Sequence, residues 1–453
     1  MSTIAAIATP NAAGGIGIIR ISGEDALNIT QNCFRAYSGK KVTDMEGYRA
    51  SYGQIFDGDS PVDEAVIIVY RAPKSYTGEN VCEICCHGGL YIMQKVLRLI
   101  FTLGAEPAQP GEFTKRAYLN GKMDLTQAES VMSIISATGE AALNAARNTL
   151  KGNVSKKIGD ICSALITAAA GLAAWSDYPD EDIPAVESNE LRKTLGNAGN
   201  ELQKLLDRYD SGKAVTEGVN TVICGKPNVG KSTLMNVLSG CERSIVTSVA
   251  GTTRDIIEET VRVGDILLRL ADTAGIHDTT DEVESIGVNM AKDRIDSSDL
   301  ILAVFDISRP LDDEDISLLE LCKNKRCLAI VNKTDLNACF TKEDIQNFIP
   351  HTVTLSAKKE EGTEDLRTAL EEILGTQGLD FSQEILSAGR QYECARKAKE
   401  CIDEAVFAMD SGLTIDAVNV SIDCAIGHLL TLTGKKASEE IVNEVFTKFC
   451  VGK

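Results

Sequence analysis

Over residues 1 to about 118, short apolar runs alternate with Gly and Pro punctuation. Gly17-Ile18-Ile19-Arg20-Ile21 and Glu64-Ala65-Val66-Ile67-Ile68-Val69-Tyr70 read as strands, with a helical stretch from Leu90 to Leu103 among the strand-like runs. This texture predicts a small α+β domain over 1–118. From 119 to 217 the apolar period lengthens to 3.6 residues. Leu125 to Ile135, Ala141 to Leu172 and Ser188 to Tyr209 predict helices, with a break at Asp177–Pro184. From Val219 to about Gly375 apolar β runs alternate with helical stretches, the pattern of a parallel α/β layer. The helical texture returns from Phe381 to the end. The simplest organisation inserts an α/β domain (218–376) into one all-α domain built from 119–217 and 377–453. Two independent helical domains are the alternative.

Composition narrows this picture without changing it. The 453 residues suit two to four domains at about 150 residues each. A 25% charged, 43% hydrophobic balance is that of an ordinary globular chain. The 14 cysteines are scattered, and no secretion signal precedes them, so reduced core thiols are expected rather than a disulfide framework. Ala164 to Trp175 is too short to span a bilayer, so no membrane is expected and the cytoplasm is the expected location. The formal net charge of −20 argues against a broad electrostatic footprint for nucleic acid.

The chemistry concentrates in the α/β segment. Gly225-Lys226-Pro227-Asn228-Val229-Gly230-Lys231-Ser232 fits G-x-x-x-x-G-K-[ST], between the apolar run Val219–Cys224 and a helix start that includes Thr233. Its glycines let backbone N–H groups close around phosphate oxygens, and the helix N-terminus adds positive partial charge. Lys231 supplies a point charge for the β- and γ-phosphates, and the Ser232 hydroxyl suits Mg²⁺. Downstream come Gly251-Thr252-Thr253-Arg254-Asp255, a hairpin (Glu259–Val263, Ile266–Ala271), and Asp272-Thr273-Ala274-Gly275. Asp272 can hold the Mg²⁺ shell and the Gly275 N–H can touch a γ-phosphate. Asn332-Lys333-Thr334-Asp335 follows the buried run Cys327–Val331. Asp335 is placed to accept from guanine N1–H and the 2-amino group, which adenine lacks. Ser356-Ala357-Lys358 finishes the base pocket. Motifs in this order at strand ends predict a GTP site.

The residue after Asp272-Thr273-Ala274-Gly275 is Ile276, which cannot position a water molecule. A carboxylate among Asp278, Asp281, Glu282 and Glu284 is the candidate in its place. Charge compensation calls for an arginine finger or a monovalent cation. Asn228 offers a carbonyl oxygen to such a cation, and the backbone near Thr247 to Thr252 could complete a cage. A plain turn role for Asn228 stands beside that reading.

Other stretches point outside the α/β segment. They are Gly14-Gly15-Ile16-Gly17-Ile18-Ile19-Arg20-Ile21-Ser22-Gly23, Ser75-Tyr76-Thr77-Gly78-Glu79, His87-Gly88-Gly89, the run Pro110 to Glu129, and the tail Phe449-Cys450-Val451-Gly452-Lys453. With these, the chain resembles end to end the tRNA modification GTPase family MnmE, also called TrmE. The resemblance implies a folate-binding-like, dimerising N-terminal domain and a Ras-like P-loop G domain inserted in a helical domain. It implies a homodimer that joins an FAD-dependent MnmG/GidA partner in a heterotetramer-type complex. That complex modifies C5 of the wobble uridine (U34) of certain tRNAs to an aminomethyl or carboxymethylaminomethyl form. The tRNA would be held largely by the partner.

Carried over motif by motif, the resemblance places K⁺ on Asn228, Thr247, Val249 (by its carbonyl) and Thr252, within a GTP-contacting stretch that includes Ser248, Ala250 and Gly251. It places Mg²⁺ on Ser232 and Thr253, and the water-orienting acid on Glu284. A one-carbon donor, 5-formyl- or methylene-tetrahydrofolate, falls on Arg20, Glu83, Lys122 and Lys453. Strand alternation lends support, since Cys82, Ile84 and Cys86 share one face and Glu83 the other. Cys450 falls on a helical stripe with Val442, Val445, Phe446 and Phe449. It reads as a packed thiol, while the terminal motif keeps a functional role open.

Competing readings are weaker. Gly15-x-Gly17 fails as a dinucleotide fingerprint because Arg20 takes the third glycine position. Cys82-x-x-Cys85-Cys86-His87 lacks a second pair at zinc spacing. A nucleotide-switched binding module of the ribosome-assembly type shares the G motifs but not the N-terminal domain or the terminal F-C-V-G-K.

Overall fold

The computed structural model describes residues 1–177, 188–240, 259–270, 295–381 and 383–452. The chain forms two units. One comprises Met1–Met132, Ser155–Leu195 and Glu400–Lys453, the other Ser133–Val154 and Gly196–Lys399.

The first unit holds a seven-stranded sheet from β1 (Ile4–Ile7), β2 (Ile16–Ser22), β3 (Phe34–Ala36), β4 (Arg49–Asp57), β5 (Ser60–Tyr70), β6 (Val81–His87) and β7 (Glu106–Pro107). Their order is β3-β4-β5-β6-β2-β1-β7. Neighbours are antiparallel except β1 and β7, which run parallel. The period-two pattern sends Ile19, Ile21, Cys82, Ile84 and Cys86 to one face. There they pack with Ile29 and Cys33 of helix Ala26–Cys33 and with Met93, Val96 and Ile100 of helix Leu90–Thr102. Burial pushes the Cys33 and Cys82 thiols up to about 12, as expected of packed thiols. The register sets Arg20 opposite Glu83 on the other face.

The helices correct the sequence reading in three places. The run Ala141–Leu172 is two helices, Glu140–Leu150 and Asn153–Asp177, separated at Lys151-Gly152 with Gly152 at φ +83°. Apolar periodicity continues through that turn, so the pattern alone does not reveal it. The next helix ends at Asp207, and Tyr209 opens a separate helix, Tyr209–Thr216. Finally, Asn153–Ala174 and Ile415–Thr433 are long and apolar enough, by length and composition alone, to cross a membrane. A core helix passes the same test. Each of these buries a stripe at helical spacing: Ile158, Ile161, Leu165, Ala169 and Leu172 in one, and Val418, Ile422, Ala425, Leu429 and Leu432 in the other.

The second unit holds a six-stranded sheet from β8 (Val219–Cys224), β9 (Glu259–Val263), β10 (Ile266–Leu270), β11 (Leu300–Asp306), β12 (Cys327–Asn332) and β13 (Thr352–Thr354), in the order β13-β12-β11-β8-β10-β9. All neighbours are parallel except the β9–β10 hairpin. β11 and β12 are buried along their whole length, as strands covered on both faces must be. Leu300, Leu302 and Val304 pack on one face with Leu234 and Leu238 of helix Lys231–Gly240 and Leu366 and Leu370 of helix Thr363–Ile373. Ile301, Ala303 and Phe305 pack on the other with Leu319 and Cys322 of helix Asp313–Cys322 and Ile345 of helix Lys342–Gln346. This doubly covered parallel sheet is the P-loop α/β layer that the sequence predicted.

Candidate functional site at the strand ends

Open α/β sheets bind ligands beyond the carboxyl ends of their strands, and the described motif residues of the loop 225–232, Asn332–Asp335 and Ser356–Lys358 lie there. β8 ends at Cys224 and the loop 225–230 leads into helix Lys231–Gly240. Two of its glycines are obligatory. A Cβ on Gly225 (φ +144°) would sit 2.4 Å from the Val304 carbonyl oxygen, and one on Gly230 (φ +100°) 2.2 Å from Asn332 Nδ2. Val229 is wholly buried and anchors the loop in the core. Lys231 Nζ donates to the Gly225 and Lys226 carbonyls, each at 2.7 Å. Burial, with the positive charge of Arg309, holds its pKa below the ordinary lysine value. Ser232 and Thr233 are exposed at the start of the helix, where the Ser232 hydroxyl is a hard oxygen donor that fits Mg²⁺. Asn228 is exposed at φ +63°. That left-handed turn suits asparagine by itself.

The base end is built around Asn332, only 2% exposed at the tip of β12. Its Nδ2 donates to the Val229 carbonyl at 2.8 Å, and its Oδ1 accepts from Lys333 N (2.7 Å) and Ala357 N (3.0 Å). One side chain therefore ties the phosphate loop to the two loops that follow β12 and β13. Ser356, fully buried, donates its hydroxyl to Asp335 Oδ1 at 2.7 Å. That hydrogen bond is the main reason the Asp335 carboxyl sits below the usual carboxylate range, with Lys359 and Lys358 adding to it. Asp335 is thus an oriented anionic acceptor. Lys358 is exposed at the rim.

Two positioning groups escaped the sequence reading. Asp306, at the end of β11 and 7% exposed, accepts from Ser308 N (3.0 Å) and Ser308 Oγ (2.6 Å) and pairs with Lys333 Nζ at 2.6 Å. Its burial opposes ionisation, but Lys333 and Ser308 outweigh it and lower the pKa. The pair holds Lys333 where its backbone adopts φ +66°. An acid closing a buried apolar run was the available signal. The other group is Lys226, whose Nζ lies 3.1 Å from Asp315 and pairs with Asp312, the N-cap of helix Asp313–Cys322. Burial opposes its charge, yet these carboxylates raise its pKa. It fixes the phosphate loop to a capped helix start. Nothing in the local sequence pairs these positions.

Thr247, Ser248, Val249, Ala250, Gly251, Thr252, Thr253, Asp272, Thr273, Ala274, Gly275, Ile276, Asp278, Asp281, Glu282 and Glu284 lie outside the described residues, as does Lys453.

In the first unit, the residues assigned to folate meet only in part. Arg20 pairs with Glu83 Oε1 at 2.8 Å and donates to the Gly452 carbonyl at 3.2 Å, while Tyr70 donates to Glu83 Oε2 at 3.2 Å. The guanidinium carbon lies 5.7 Å from the Tyr76 ring centre and 5.6 Å from that of Phe113. The guanidinium that packs on these rings also pairs with the Glu83 carboxylate, an acceptor for N–H donors. Lys122, by contrast, donates to the Pro73 carbonyl at 3.0 Å and makes no hydrogen bond to Arg20 or Glu83 among the described residues. Arg116, within the run Pro110 to Glu129 but given no role by the sequence, is nearly buried and bonded to Glu79, Glu112 and the Ser2 carbonyl. The placement of Cys450 is corrected. Helix Glu439–Thr447 ends before it; Val442, Phe446 and Phe449 join the buried cluster and Val445 packs against it. Cys450 is half-buried just beyond the helix, and its carbonyl accepts from Gly111 N at 3.3 Å.

The Arg20–Glu83 pair is 17% and 14% exposed. Glu83→Ala leaves the guanidinium without its carboxylate and is expected to cost about 2 kcal/mol in a denaturant melt, and Glu83→Gln, which keeps an acceptor, less. Equal stability of Glu83→Ala and the natural protein would show that the pair holds nothing together.

Known proteins match this chain along its length. The family described as MnmE helical domain matches residues 125–450, and that described as GTP-binding protein TrmE N-terminus matches residues 3–122. A protein named tRNA modification GTPase MnmE from Natranaerobius thermophilus is 40% identical over 456 residues, covering 100% of this chain and 99% of its own length. Its namesake from Clostridioides difficile is 39% identical over 454 residues, with 100% and 99% covered. The solved FeoB G-domain from Methanococcus jannaschii aligns with 35% of this chain and 98% of its own at 21% identity, with a TM-score of 0.25.

Proposed function

The chain belongs to the MnmE family of tRNA modification GTPases, and from that membership we propose that it hydrolyses GTP to drive modification of the wobble uridine of tRNA. The observation that carries this reading is the bond from Asn332 to the Val229 carbonyl. It joins a guanine-reading strand end, with Asp335 oriented by Ser356, to a loop built for phosphate. Phosphoryl transfer needs positioning and charge stabilisation more than covalent chemistry, and this strand-end cluster is suited to supply both. Lys231 and the loop N–H groups bind the β- and γ-phosphates. Ser232 and Thr253 hold Mg²⁺, which neutralises charge developing on the phosphate oxygens when bound.

The finer parts of the proposal follow the family. Asn228, Thr247, Val249 and Thr252 hold K⁺, and Glu284 orients the attacking water in place of a residue at Ile276. Arg20 and Glu83, with Lys122 and Lys453, hold a 5-formyl- or methylene-tetrahydrofolate. The chain works as a homodimer with an FAD-dependent MnmG/GidA partner that carries most of the tRNA contact, in the cytoplasm. Domain boundaries at 118, 217 and 376 complete the proposal.

The K⁺ site predicts GTP turnover several-fold faster in KCl than in NaCl at equal ionic strength. Equal rates would remove Asn228 as a cation ligand. Mass spectrometry of tRNA nucleosides from a deletion strain tests the function. Loss of the C5-modified wobble uridine, restored by complementation, is expected. Unchanged tRNA with defective ribosomal subunits would favour a nucleotide-switched assembly factor.

A further inference from the structure

Cys401 lies on helix Gly389–Asp410, and Cys424 and His428 on helix Ile415–Thr433, joined to it by a short turn. None of the three belongs to the nucleotide or folate sets. We propose that Cys401, Cys424 and His428 form a binding site for a zinc-class metal ion.

The four-residue spacing puts Cys424 and His428 one turn apart on one helix face. Cys401 meets them from the other helix, its Sγ 3.0 Å from that of Cys424. The possible ligand atoms of all three lie within 4.8 Å of one another. Tetrahedral zinc with thiolate bonds near 2.3 Å and imidazole bonds near 2.0 Å separates its ligand atoms by about 3.5–3.8 Å. The 3.0 Å Sγ–Sγ separation and the 4.8 Å outer limit bracket that spacing.

The surroundings suit a cation. Cys401 is buried and holds one side of the site in packed helix, while Cys424 is exposed and gives an entry path. Glu400 and Glu404 place negative charge near Cys401. Two thiolates and an imidazole select Zn²⁺ over hard ions such as Mg²⁺ and K⁺. Three protein ligands leave a fourth position for water. A bound ion would cross-link the two helices and stabilise their pairing by linkage.

The test uses the full chain, purified reduced and without chelator, and titrated with Co²⁺ as the probe. The expected result is one tightly bound Co²⁺ per chain, with a thiolate-to-cobalt charge-transfer band in the near ultraviolet and tetrahedral bands in the visible, both erased by Zn²⁺. Cys424→Ser, at an exposed position, should keep its circular dichroism and GTP turnover but lose the band. His428→Gln should keep thiolate charge transfer and shift the visible bands. The proposal falls if no band develops or if Cys424→Ser retains it. It also falls if mass spectrometry finds Cys401 and Cys424 joined in a disulfide in protein that binds no cobalt.

Discussion

Asp335→Asn is expected to weaken GTP binding by about 100-fold while leaving the fold intact. The carboxylate offers two acceptors to the guanine N1–H and 2-amino group. Each charge-assisted bond is worth about 1.5–3 kcal/mol, and asparagine turns one acceptor into a donor that faces a donor. A net loss near 3 kcal/mol is about 10²-fold in affinity. The fold survives because Ser356 Oγ, which donates to Asp335 Oδ1 at 2.7 Å, can donate equally to the asparagine oxygen. The lost affinity should reappear for xanthosine triphosphate, whose 2-oxo group accepts from the new amide. Competition calorimetry with GTP and xanthosine triphosphate, alongside a thermal melt, measures this. Unchanged GTP affinity would remove Asp335 from base recognition. The pH response follows the same carboxylate. Its pKa is depressed in the folded protein, so recognition holds above the usual carboxyl range and fades only as the pH falls through that lowered value.

Asn332→Ala acts more deeply, on stability and on both ends of the nucleotide. Three hydrogen bonds, to Val229 O, Lys333 N and Ala357 N, vanish from a side chain 2% exposed. Each buried backbone group left unpaired costs about 1–3 kcal/mol; with Lys333 N only part-buried, a total of about 3–6 kcal/mol is expected in a denaturant melt of this unit. GTP binding should fall even where the unit stays folded, because the loop 225–230 is no longer tied to the base pocket. Asn332→Asp keeps the two accepted bonds, loses the donated one, and should fall between. A double-mutant cycle with Gly230→Ala adds a sharper check. The added Cβ would lie 2.2 Å from Asn332 Nδ2, so removing that amide should relieve part of the clash and make the two losses less than additive. Strict additivity would show that the contact does not govern the loop.

Much of this was legible before any coordinates. The sequence by itself determined that the chain binds a guanine nucleotide, because phosphate-cradling glycines, Lys231 and Asp335 stand at fixed short spacings within their own loops. It also determined which face of β6 is core, since a period of two is a local property. It placed helices well where their ends carried a signal, and missed the division at Gly152 because apolar spacing runs on across it. Only the tertiary structure decided that Asn332 would reach Val229, 103 residues away in sequence, and that Arg20 would meet Glu83, 63 residues away. It alone brought Asp306 to Lys333, Lys226 to Asp315 and Cys401 to Cys424. The physical reason is the same in each case. Local patterning specifies which side of an element is apolar and where the backbone turns. Strand register and helix crossing specify which polar groups then come within 3 Å, and those depend on the packing of the whole core.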